Sequence, residues 1–578
     1  MHTDGIEVTT GPLGQGISNA VGLALAERHL AAQFNREGFP VVNNTTYCIA
    51  GDGCLQEGVA SEACSLAGHL ELGNLVVLYD SNGIQIDGST KLGFTEDVLE
   101  RYRAYGWHTL SVEDGDDDLA GLERAIAEAK AVTDRPSIIK VTTTIGFGAA
   151  KAGTASVHGA PLGEEDVAAV KAKFGFNPEE KFVVPAEVAE LYRKRAAEGA
   201  RRQEEWDALV ERYKAAHPDL YAEFKRRCLE GVLPDDWASA LPTFTPEDKP
   251  VATRKLSEIV LTALAEKIPE IMSGSADLTG SNLTRWKGAV DFQAPSSGLG
   301  DYTGRYLRFG AREHGMAAIA NGIACYGGIV PLVSTFLNFI SYAAGATRLT
   351  ALSELRVIYI MTHDSIGLGE DGPTHQPIET LAMLRATPNY LVFRPADGNE
   401  TAGAYYAALR QTRRPAVLSL TRQNIPHLAG SSIEAVLKGG YILQDSKAPT
   451  GKPDLILIGT GSETSICVDT AKHLSEKYNL HARVVSMPCT NLFDEQTVEY
   501  RREVLPDGVP VISVEALSTF GWHKYAHHPI GINTFGASGP YSKLYEKFGL
   551  TPEAISKKAV AIAEHYKTTP VPSLHHEF

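Results

Sequence analysis

Short apolar runs, each ending in a turn of small and polar residues, constrain this chain more than any other feature. The first two runs stop at Gly51-Asp52-Gly53 and at Asp80-Ser81-Asn82-Gly83. Because helix-length segments lie between the runs, the pattern predicts buried strands in a parallel, doubly wound sheet, whose ligands bind beyond the carboxyl ends of the strands. The predicted strands are residues 47–50, 75–79 and 138–141, and the predicted helices are residues 17–29, 59–69 and 119–132.

The same alternation returns twice further along the chain of 578 residues, a length that suits several domains. Residues 185–250 interrupt it with charged helices, where Trp206, Leu209, Val210 and Tyr213 share one helix face, and with a proline-rich linker. The later predicted strands are residues 357–361, 391–393, 416–420, 455–458, 484–485 and 511–514. We therefore predict an α/β fold of three doubly wound domains, at residues 1–240, 241–435 and 436–578.

Composition excludes several classes of function. The chain has 54 Lys and Arg against 70 Asp and Glu, a net charge of −16, so we expect neither a nucleic-acid partner nor a membrane surface. No apolar run is long enough to cross a bilayer, and no signal peptide is visible. The seven cysteines are odd in number and form no Cys-x-x-Cys pair, which favours a reducing compartment, and we expect a cytoplasmic protein.

Asp52 and Asn82 each follow a predicted strand and carry side-chain oxygen atoms. A divalent cation that bridges a diphosphate needs hard oxygen ligands, and Asp52, Asn82 and the backbone carbonyl of Ile84 would supply three. The flanking glycines would let the backbone approach the phosphates. A Gly-Asp-Gly turn alone is ordinary. Paired with an asparagine after a second strand, it favours a site for Mg²⁺ (or Ca²⁺) over a plain turn.

Three longer strings carry a resemblance to a known family. They are residues 9–16 (Thr-Thr-Gly-Pro-Leu-Gly-Gln-Gly), 51–58 (Gly-Asp-Gly-Cys-Leu-Gln-Glu-Gly) and 369–377 (Gly-Glu-Asp-Gly-Pro-Thr-His-Gln-Pro). With them the chain resembles the transketolases, which depend on thiamine diphosphate, from about residue 5 to about residue 565. The resemblance implies that the first domain binds the cofactor's diphosphate, the second its pyrimidine ring, and the third no cofactor.

The resemblance also implies which residues hold the cofactor. Glu313 would face the aminopyrimidine ring with a shared proton, a role that suits a carboxyl in an apolar pocket. Phe336, Phe339 and Tyr342 would surround the ring, although aromatic residues at helical spacing are more often core. The implied cofactor residues are Gly11, Leu13, Gly51, Asp52, Gly53, Asn82, His158, Asp277, Glu313, Phe336, Phe339 and Tyr342, with Asp52, Asn82 and Ile84 as metal ligands.

A phosphorylated ketose needs cations at its phosphate and polar groups at its hydroxyls. The resemblance gives those roles to His158, Arg254, Ser281, His363, Asp371, His375 and Arg422, and it makes Glu313, His158 and His375 catalytic. His158 lies in a Gly- and Ala-rich stretch that is typical of mobile loops.

Two further features have competing interpretations. Glu57 and Glu62 resemble acidic residues that link the two cofactor sites at the family's dimer contact, although two acids on a solvated helix would look the same. The string Gly459-Thr460-Gly461-Ser462 resembles a phosphate loop, but we interpret it as a strand-to-helix turn.

The implied activity is transketolase: reversible transfer of a two-carbon glycolaldehyde unit from xylulose 5-phosphate to ribose 5-phosphate or erythrose 4-phosphate in the pentose phosphate pathway, by a homodimer with shared active sites. Dihydroxyacetone synthase, which uses formaldehyde as acceptor, and a catalytically weak cofactor-binding protein remain as alternatives. The family's upstream strings His-Ala-Ser and Gly-His-Pro-Glu do not occur here. We therefore expect an N-terminally shortened chain with an unpaired sheet edge.

Overall fold

The structure is a computed structural model that describes residue 6 and residues 8–446, 448–449 and 451–575. The chain divides into two compact units. The first comprises Met1–Val232, Val290–Gly304 and Asn321–Ile329, and the second comprises Leu233–Ala289, Arg305–Ala320 and Val330–Phe578. Among the described residues, no helix has both the length and the apolarity needed to span a membrane.

A parallel sheet of four strands forms the centre of the first unit. Its strands, in spatial order, are Thr46–Gly51, Leu75–Ser81, Ser137–Thr142 and His108–Val112. The three predicted runs are all strands. The fourth was not predicted, because it lies at an edge and only its last residue is buried. At the other edge, Tyr47 and Ile49 are 48% and 79% exposed.

Helices and short turns complete the first unit. In the long helix of the charged segment, Val210 and Tyr213 are buried as their spacing predicts, and the Tyr213 hydroxyl donates to the carbonyl of Phe34 at 2.7 Å. A hairpin of Ile84–Gln85 and Gly88–Ser89 follows the second strand. The helices are Gln15–Phe34, Asp52–Gln56, Gly58–His69, Thr90–Leu92, Val98–Ala104, Leu119–Ala131, Ala155–Val157, Glu164–Lys173, Ala186–Ala216, Pro218–Phe224, Lys225–Glu230 and Pro295–Ser297.

The second unit contains a parallel sheet of six strands and a sheet of five. The six, in spatial order, are Leu391–Phe393, Ala416–Leu420, Ile358–Thr362, Val330–Phe336, Ile271–Ser275 and Tyr306–Arg308. The five are Tyr441–Gln444, Ala482–Ser486, Leu455–Gly459, Val511–Val514 and His528–Ile530, of which only the first is antiparallel to its neighbour. The α/β class predicted from the sequence is confirmed, whereas the three domain limits stay predictions.

Most strands of the second unit are buried on both faces, which explains their near-continuous apolar sequence. One core packs around Ile271, Leu332 and Ile360, and others flank Leu457 and Ile458. The remaining helices along the chain are Trp237–Ala240, Thr253–Lys267, Thr279–Asn282, Glu313–Tyr326, Leu337–Ala343, Ala344–Leu352, Ile366–Leu368, Thr380–Ala386, Gly398–Arg410, Ile433–Val436, Glu463–Tyr478, Thr490–Asp494, Val498–Val504, Trp522–Lys524, Tyr541–Lys547 and Pro552–Tyr566.

Candidate active site

Asp52 is fixed at the carboxyl end of the first strand. It is buried and opens the helix Asp52–Gln56 directly after that strand. The Tyr79 hydroxyl donates to its Oδ1 at 2.5 Å, and the Gly83 N–H donates to its Oδ2 at 3.0 Å. Because Gly51 pairs with Asp80 in parallel register, the turn after the second strand reaches Asp52.

Asn82 and Ile84 lie in that second turn. The Ile84 N–H donates to the Asn82 Oδ1 at 3.0 Å, and Ile84 begins the small hairpin. The described residues contain no cluster of three or more His, Cys, Asp or Glu that could hold a metal ion. A cation here would therefore depend on one carboxylate together with amide and backbone carbonyl oxygens, which are hard donors that fit Mg²⁺ or Ca²⁺.

The glycine-rich loop before the first helix packs on the turn that carries Asp52. An added Cβ at Gly53 would lie 2.9 Å from Cδ1 of Leu13, and one at Gly14 would lie 2.7 Å from Cβ of Glu57. Gly11 has a φ of 82°, in the left-handed region that favours glycine. Leu13 is 52% exposed. The loop and the turn thus form one surface at the N-terminus of the helix Gln15–Phe34, a position that favours anions.

Glu57, Glu62 and His158 also belong to the first unit, and Glu57 packs against Gly14 of the glycine-rich loop. Glu57 is exposed in the break before the helix Gly58–His69, and Glu62 lies half-buried on that helix. His158 is exposed at the end of the short helix Ala155–Val157.

Glu313 is the first residue of the helix Glu313–Tyr326 and is half-buried. The residues that follow it on the helix, Met316 and Ala317–Ile319, are buried and almost all apolar. Glu313 therefore opens a helix whose next turn is buried among apolar residues.

Phe336, Phe339 and Tyr342 form an aromatic row in the second unit. Phe336 ends a strand, and the other two lie in the 3₁₀-helix Leu337–Ala343. With three residues per turn, side chains three apart stand directly above one another. The ring centroids of Phe336 and Phe339 are 5.9 Å apart, and those of Phe339 and Tyr342 are 6.1 Å apart. Tyr342 is 68% exposed, so the row extends from the core to the surface.

Two of the predicted histidines flank this row. The ring of His363 stacks on Phe336 with centroids 3.7 Å apart, and His375 meets the edge of Phe339 at 5.2 Å. Burial, with the charges of Arg254, Arg422 and His375, lowers the pKa of His363 from 6.5 to about 3. His363 is therefore a neutral imidazole near neutral pH.

Arg254 and Arg422 are brought together by a reciprocal pair of threonines. The Thr421 N–H donates to Thr253 Oγ1 at 2.7 Å, and the Thr253 N–H donates to Thr421 Oγ1 at 2.9 Å. This joins the start of the helix Thr253–Lys267 to the segment after the strand Ala416–Leu420. Burial and the charge of Arg422 lower the pKa of Arg254.

The other predicted substrate residues surround this pair less closely. Arg254 Nη1 donates to the backbone carbonyl of Ser281 at 2.7 Å. Asp371 is exposed, and Asp277 is exposed with a φ of 58° just beyond the strand Ile271–Ser275. The structure thus brings together His363, His375, Phe336, Phe339, Arg254, Arg422 and Ser281, whereas Asp277 and Asp371 are exposed.

Sequence reasoning missed the residues that hold these groups in place. Tyr79 was visible only as the last residue of an apolar run, and Thr253 and Thr421 only as neighbours of the two arginines. Asn282 accepts from Thr362 Oγ1 at 2.6 Å and donates to Ser275 Oγ at 2.9 Å, so it links the ends of two strands. The sequence offered one signal for such supporting residues: a polar side chain at a strand end, directly beside a candidate ligand.

The chain matches family models along nearly its whole length. They are described as the transketolase thiamine diphosphate binding domain (residues 1–234), the transketolase pyrimidine binding domain (residues 249–427) and the transketolase-like C-terminal domain (residues 439–551). The fold and these matches define a thiamine-diphosphate-dependent transferase.

Individual relatives narrow the class. The transketolase of Kluyveromyces lactis is 57% identical over 565 residues, which are 97% of this chain and 82% of that protein. A solved transketolase mutant from Pichia stipitis in complex with xylulose 5-phosphate has a TM-score of 0.97 at 55% identity and covers 99% of this chain and 84% of that one. The transketolase from Leishmania mexicana has a TM-score of 0.95 at 52% identity, with 99% and 83% covered. The chain belongs to the transketolase family.

Proposed function

We propose that this chain transfers a two-carbon glycolaldehyde unit reversibly from a ketose phosphate, such as xylulose 5-phosphate, to an aldose phosphate, such as ribose 5-phosphate or erythrose 4-phosphate, in the pentose phosphate pathway. The observation that carries the proposal is the pairing of Arg254 and Arg422 beside His363 and the aromatic row. Two guanidinium groups and a neutral imidazole suit a phosphate dianion. Solved relatives in complex with xylulose 5-phosphate and sedoheptulose 7-phosphate support the substrate class.

In this proposal, Asp52, Asn82 and the carbonyl of Ile84 hold Mg²⁺ (or Ca²⁺), and the loop with Gly11 and Leu13, next to Gly51 and Gly53, lies along the diphosphate. Phe336, Phe339, Tyr342 and Asp277 enclose the rings of the cofactor. When bound, thiamine diphosphate supplies a carbon nucleophile that also serves as an electron sink. The contribution of the protein is orientation and the placement of charge.

Proton transfer is assigned to three side chains. Glu313 holds a proton against the ring nitrogen of the aminopyrimidine, as its position beside an apolar core supports. His375, whose Nδ1 lies 2.9 Å from Thr374 Oγ1, orients the donor carbonyl. His158 moves protons at the substrate hydroxyls.

Substrate binding is divided between the two ends of the sugar. Arg254, Ser281, His363 and Arg422 bind the phosphate, which fixes the distance to the bond between C2 and C3 that breaks. Asp371 accepts a hydrogen bond from a sugar hydroxyl. Remote phosphate binding therefore orients the reacting carbons.

A homodimer with shared active sites, in which Glu57 and Glu62 link the two cofactor sites, completes the proposal, together with a cytoplasmic location. All seven cysteines are thiols in the structure, which supports a reducing compartment.

The test is a coupled assay of the purified chain with thiamine diphosphate and Mg²⁺, xylulose 5-phosphate as donor, and ribose 5-phosphate or formaldehyde as acceptor. Sedoheptulose 7-phosphate as the main product supports the proposal. A preference for formaldehyde would instead indicate dihydroxyacetone synthase, and cofactor binding without turnover of either acceptor would reject both enzymes.

A further inference from the structure

Arg394 is a wholly buried guanidinium at which three carboxyl-bearing side chains of the second unit converge. Its Nε donates to Asp364 Oδ2 at 2.8 Å, and its Nη1 donates to the Thr460 carbonyl at 2.8 Å and pairs with Glu463. Glu515 Oε1 lies 3.9 Å from the same Nη1. Each of these four charged side chains is 2% exposed or less. The proposed reaction does not involve Arg394 or its three carboxyl partners directly.

The turn Gly459-Thr460-Gly461-Ser462, which resembles a phosphate loop in sequence, is closed by that guanidinium. An added Cβ at Gly461 would lie 2.8 to 2.9 Å from side-chain atoms of Arg394. The Gly461 N–H donates to the Arg394 carbonyl at 3.0 Å, and Nη2 of Arg394 donates to Ser462 Oγ at 3.4 Å. The turn therefore receives a side chain of the same unit in place of a ligand phosphate.

Glu463, which pairs with Arg394, is held by hydrogen bonds of its own, and these help to fix the position of the guanidinium. Its Oε1 accepts from the Tyr545 hydroxyl and from Ser462 Oγ, both at 2.7 Å, and its Oε2 accepts from the Ala516 N–H at 3.0 Å. These bonds hold the Glu463 carboxylate in place, and with it the oxygen that pairs with Arg394.

Asp364, the other partner of Arg394, lies next to His363 in the turn after the strand Ile358–Thr362. His363 has a φ of 61°, a left-handed conformation that a bulky residue keeps only where its surroundings impose it. Before it, Thr362 donates to Asn282 Oδ1 at 2.6 Å, and after it Ser365 Oγ accepts from the Gly367 N–H at 3.1 Å. The bond from Arg394 holds Asp364, the residue directly after this left-handed position.

We propose that Arg394 is a positioning residue for substrate phosphate: through Asp364 it holds the turn in the conformation that presents the His363 ring beside Phe336. The inference rests on the proposed function, because it assumes that His363 binds the phosphate. It assigns to the five-stranded sheet, through Thr460 and Glu463, a role in donor binding.

The charges of the network agree with this role. Burial raises the pKa of Asp364 above its ordinary value, and the charge of Arg394 offsets only part of that rise. Removal of Arg394 would leave Asp364 and Glu463 as buried carboxyls without their guanidinium partner, which costs far more than the pair contributes. Asp364 would then leave its position, and the turn that carries His363 would move with it.

The experiment compares two donors on the same enzyme: xylulose 5-phosphate and xylulose without the phosphate. In Asp364→Asn, which keeps the shape and one acceptor oxygen, and in Arg394→Lys, which keeps the charge, we expect the KM for the phosphorylated donor to rise about 5- to 50-fold with kcat nearly unchanged. The kcat/KM for the donor without phosphate should change less than about twofold.

The matched control is Arg483→Met in the same unit. Arg483 forms a similar two-point ion pair with Asp445, both bonds at 3.0 Å, on a strand of the five-stranded sheet. This variant should lower the thermal midpoint and leave the ratio of the two donors at the wild-type value. If Arg394→Lys does not fold, the ratio of the two donors in Asp364→Asn alone tests the proposal.

Failure of the inference and failure of the proposed function are separable with Arg422→Ala. If Arg422→Ala does not weaken the preference for the phosphorylated donor, the proposed phosphate site is wrong. If Arg422→Ala weakens it but folded Asp364→Asn keeps the wild-type preference, the positioning role of Arg394 is overturned. Equal losses on both donors in Asp364→Asn would also overturn it, because they indicate general structural damage.

Discussion

At the scale of single residues, His363 is a neutral imidazole in a site whose positive charge comes from Arg254 and Arg422. The ring is 4% exposed and stacks on Phe336, and its Nδ1 lies 2.8 Å from Thr362 Oγ1. Burial disfavours the imidazolium, and Arg254 and Arg422 disfavour it further. The positive charge that meets a phosphate therefore resides on the guanidinium groups of Arg254 and Arg422.

We expect the His363 ring to stay neutral from pH 8 down to pH 5 in the enzyme without substrate. Its pKa of about 3 lies below the ordinary 6.5. The unfolded chain therefore takes up this proton first, and stability falls as the pH drops from about 6.5 towards 3. Nitrogen-15 NMR of histidine-labelled enzyme checks this: one neutral imidazole signal should persist at pH 5 and disappear in His363→Gln. A signal that titrates near pH 6.5 and is lost in that variant would contradict it.

At the scale of helices and strands, the site depends on how elements end. The helix Thr253–Lys267 and the strand Ala416–Leu420 meet through the reciprocal bonds of Thr253 and Thr421. These bonds occupy a backbone N–H at the helix start that has no partner inside the helix. The same two bonds set the distance between Arg254 and Arg422, so the stability of the helix end and the geometry of the cation pair are coupled.

Thr421→Val, which keeps the shape of the side chain, should cost about 1–3 kcal/mol of unfolding free energy, because it leaves the buried Thr253 N–H without its acceptor. In a double-mutant cycle with Thr253→Val, the two losses should fall short of additivity by at least about 0.5 kcal/mol. Urea denaturation measures both, and the KM for the phosphorylated donor should rise in each variant.

Thr350→Val is the control for that cycle. Thr350 bonds to the Tyr359 hydroxyl at 2.7 Å within the same unit. The substitution should destabilise the protein without a change in the donor KM. Strict additivity of Thr253→Val and Thr421→Val would show that the two bonds do not act as one unit.

Sequence patterns predicted the elements whose composition is uniform and missed those that mix polar and apolar residues. Residues 391–393 and 416–420 were predicted as strands with their observed bounds, because they are purely apolar or nearly so. The strand Ile271–Ser275 was missed, because Ser273 and Ser275 bury their hydroxyls inside the core. Only the tertiary structure shows what these hydroxyls meet: Ser275 Oγ accepts from Asn282 Nδ2 at 2.9 Å, whereas the buried Ser273 Oγ has no hydrogen-bond partner among the described residues.

The candidate site followed the same rule. Site residues were proposed from the motif strings, but the 3₁₀ geometry of the aromatic row was not predicted, since a spacing of three fits an ordinary helix equally well. The loop-like string at residues 459–462 was interpreted correctly as a strand-to-helix turn, yet nothing in the sequence indicated that Arg394 would fill it. Sequence patterns do not show contacts between residues that are far apart along the chain, such as Arg394 and Gly461.

At the scale of the whole molecule, buried polar networks join the two sheets of the second unit. One is centred on Arg394. The other is centred on Glu400, whose Oε1 accepts from the Tyr441 hydroxyl at 2.8 Å and from Ser486 Oγ at 2.5 Å, and whose Oε2 accepts from the Ala396 N–H at 2.7 Å. Because both centres contain buried ionisable groups, the stability of the unit is linked to pH.

Glu400 should make the second unit less stable as the pH rises from 5 to 8. Burial, and then the charge of Asp397, raises the pKa of Glu400 from 4.5 to about 7. The folded state therefore keeps a proton that the unfolded chain has already lost, so the stabilisation is complete below pH 4.5 and is lost by about pH 7. The loss should be on the order of 3 kcal/mol.

Differential scanning calorimetry at pH 5.5, 6.5 and 7.5 tests this, because it resolves the transitions of separate units. Glu400→Gln, which cannot ionise, should flatten the pH dependence of the second unit's transition.

The matched control is Glu27→Gln in the first unit, where burial also raises the pKa of the carboxyl to about 7. Glu27→Gln should flatten the pH dependence of the first unit's transition and leave the second unit's transition as in the wild type. A second-unit transition with the same pH slope in Glu400→Gln as in the wild type would assign the pH dependence to other groups, and the Glu400 network would then be a neutral structural contact.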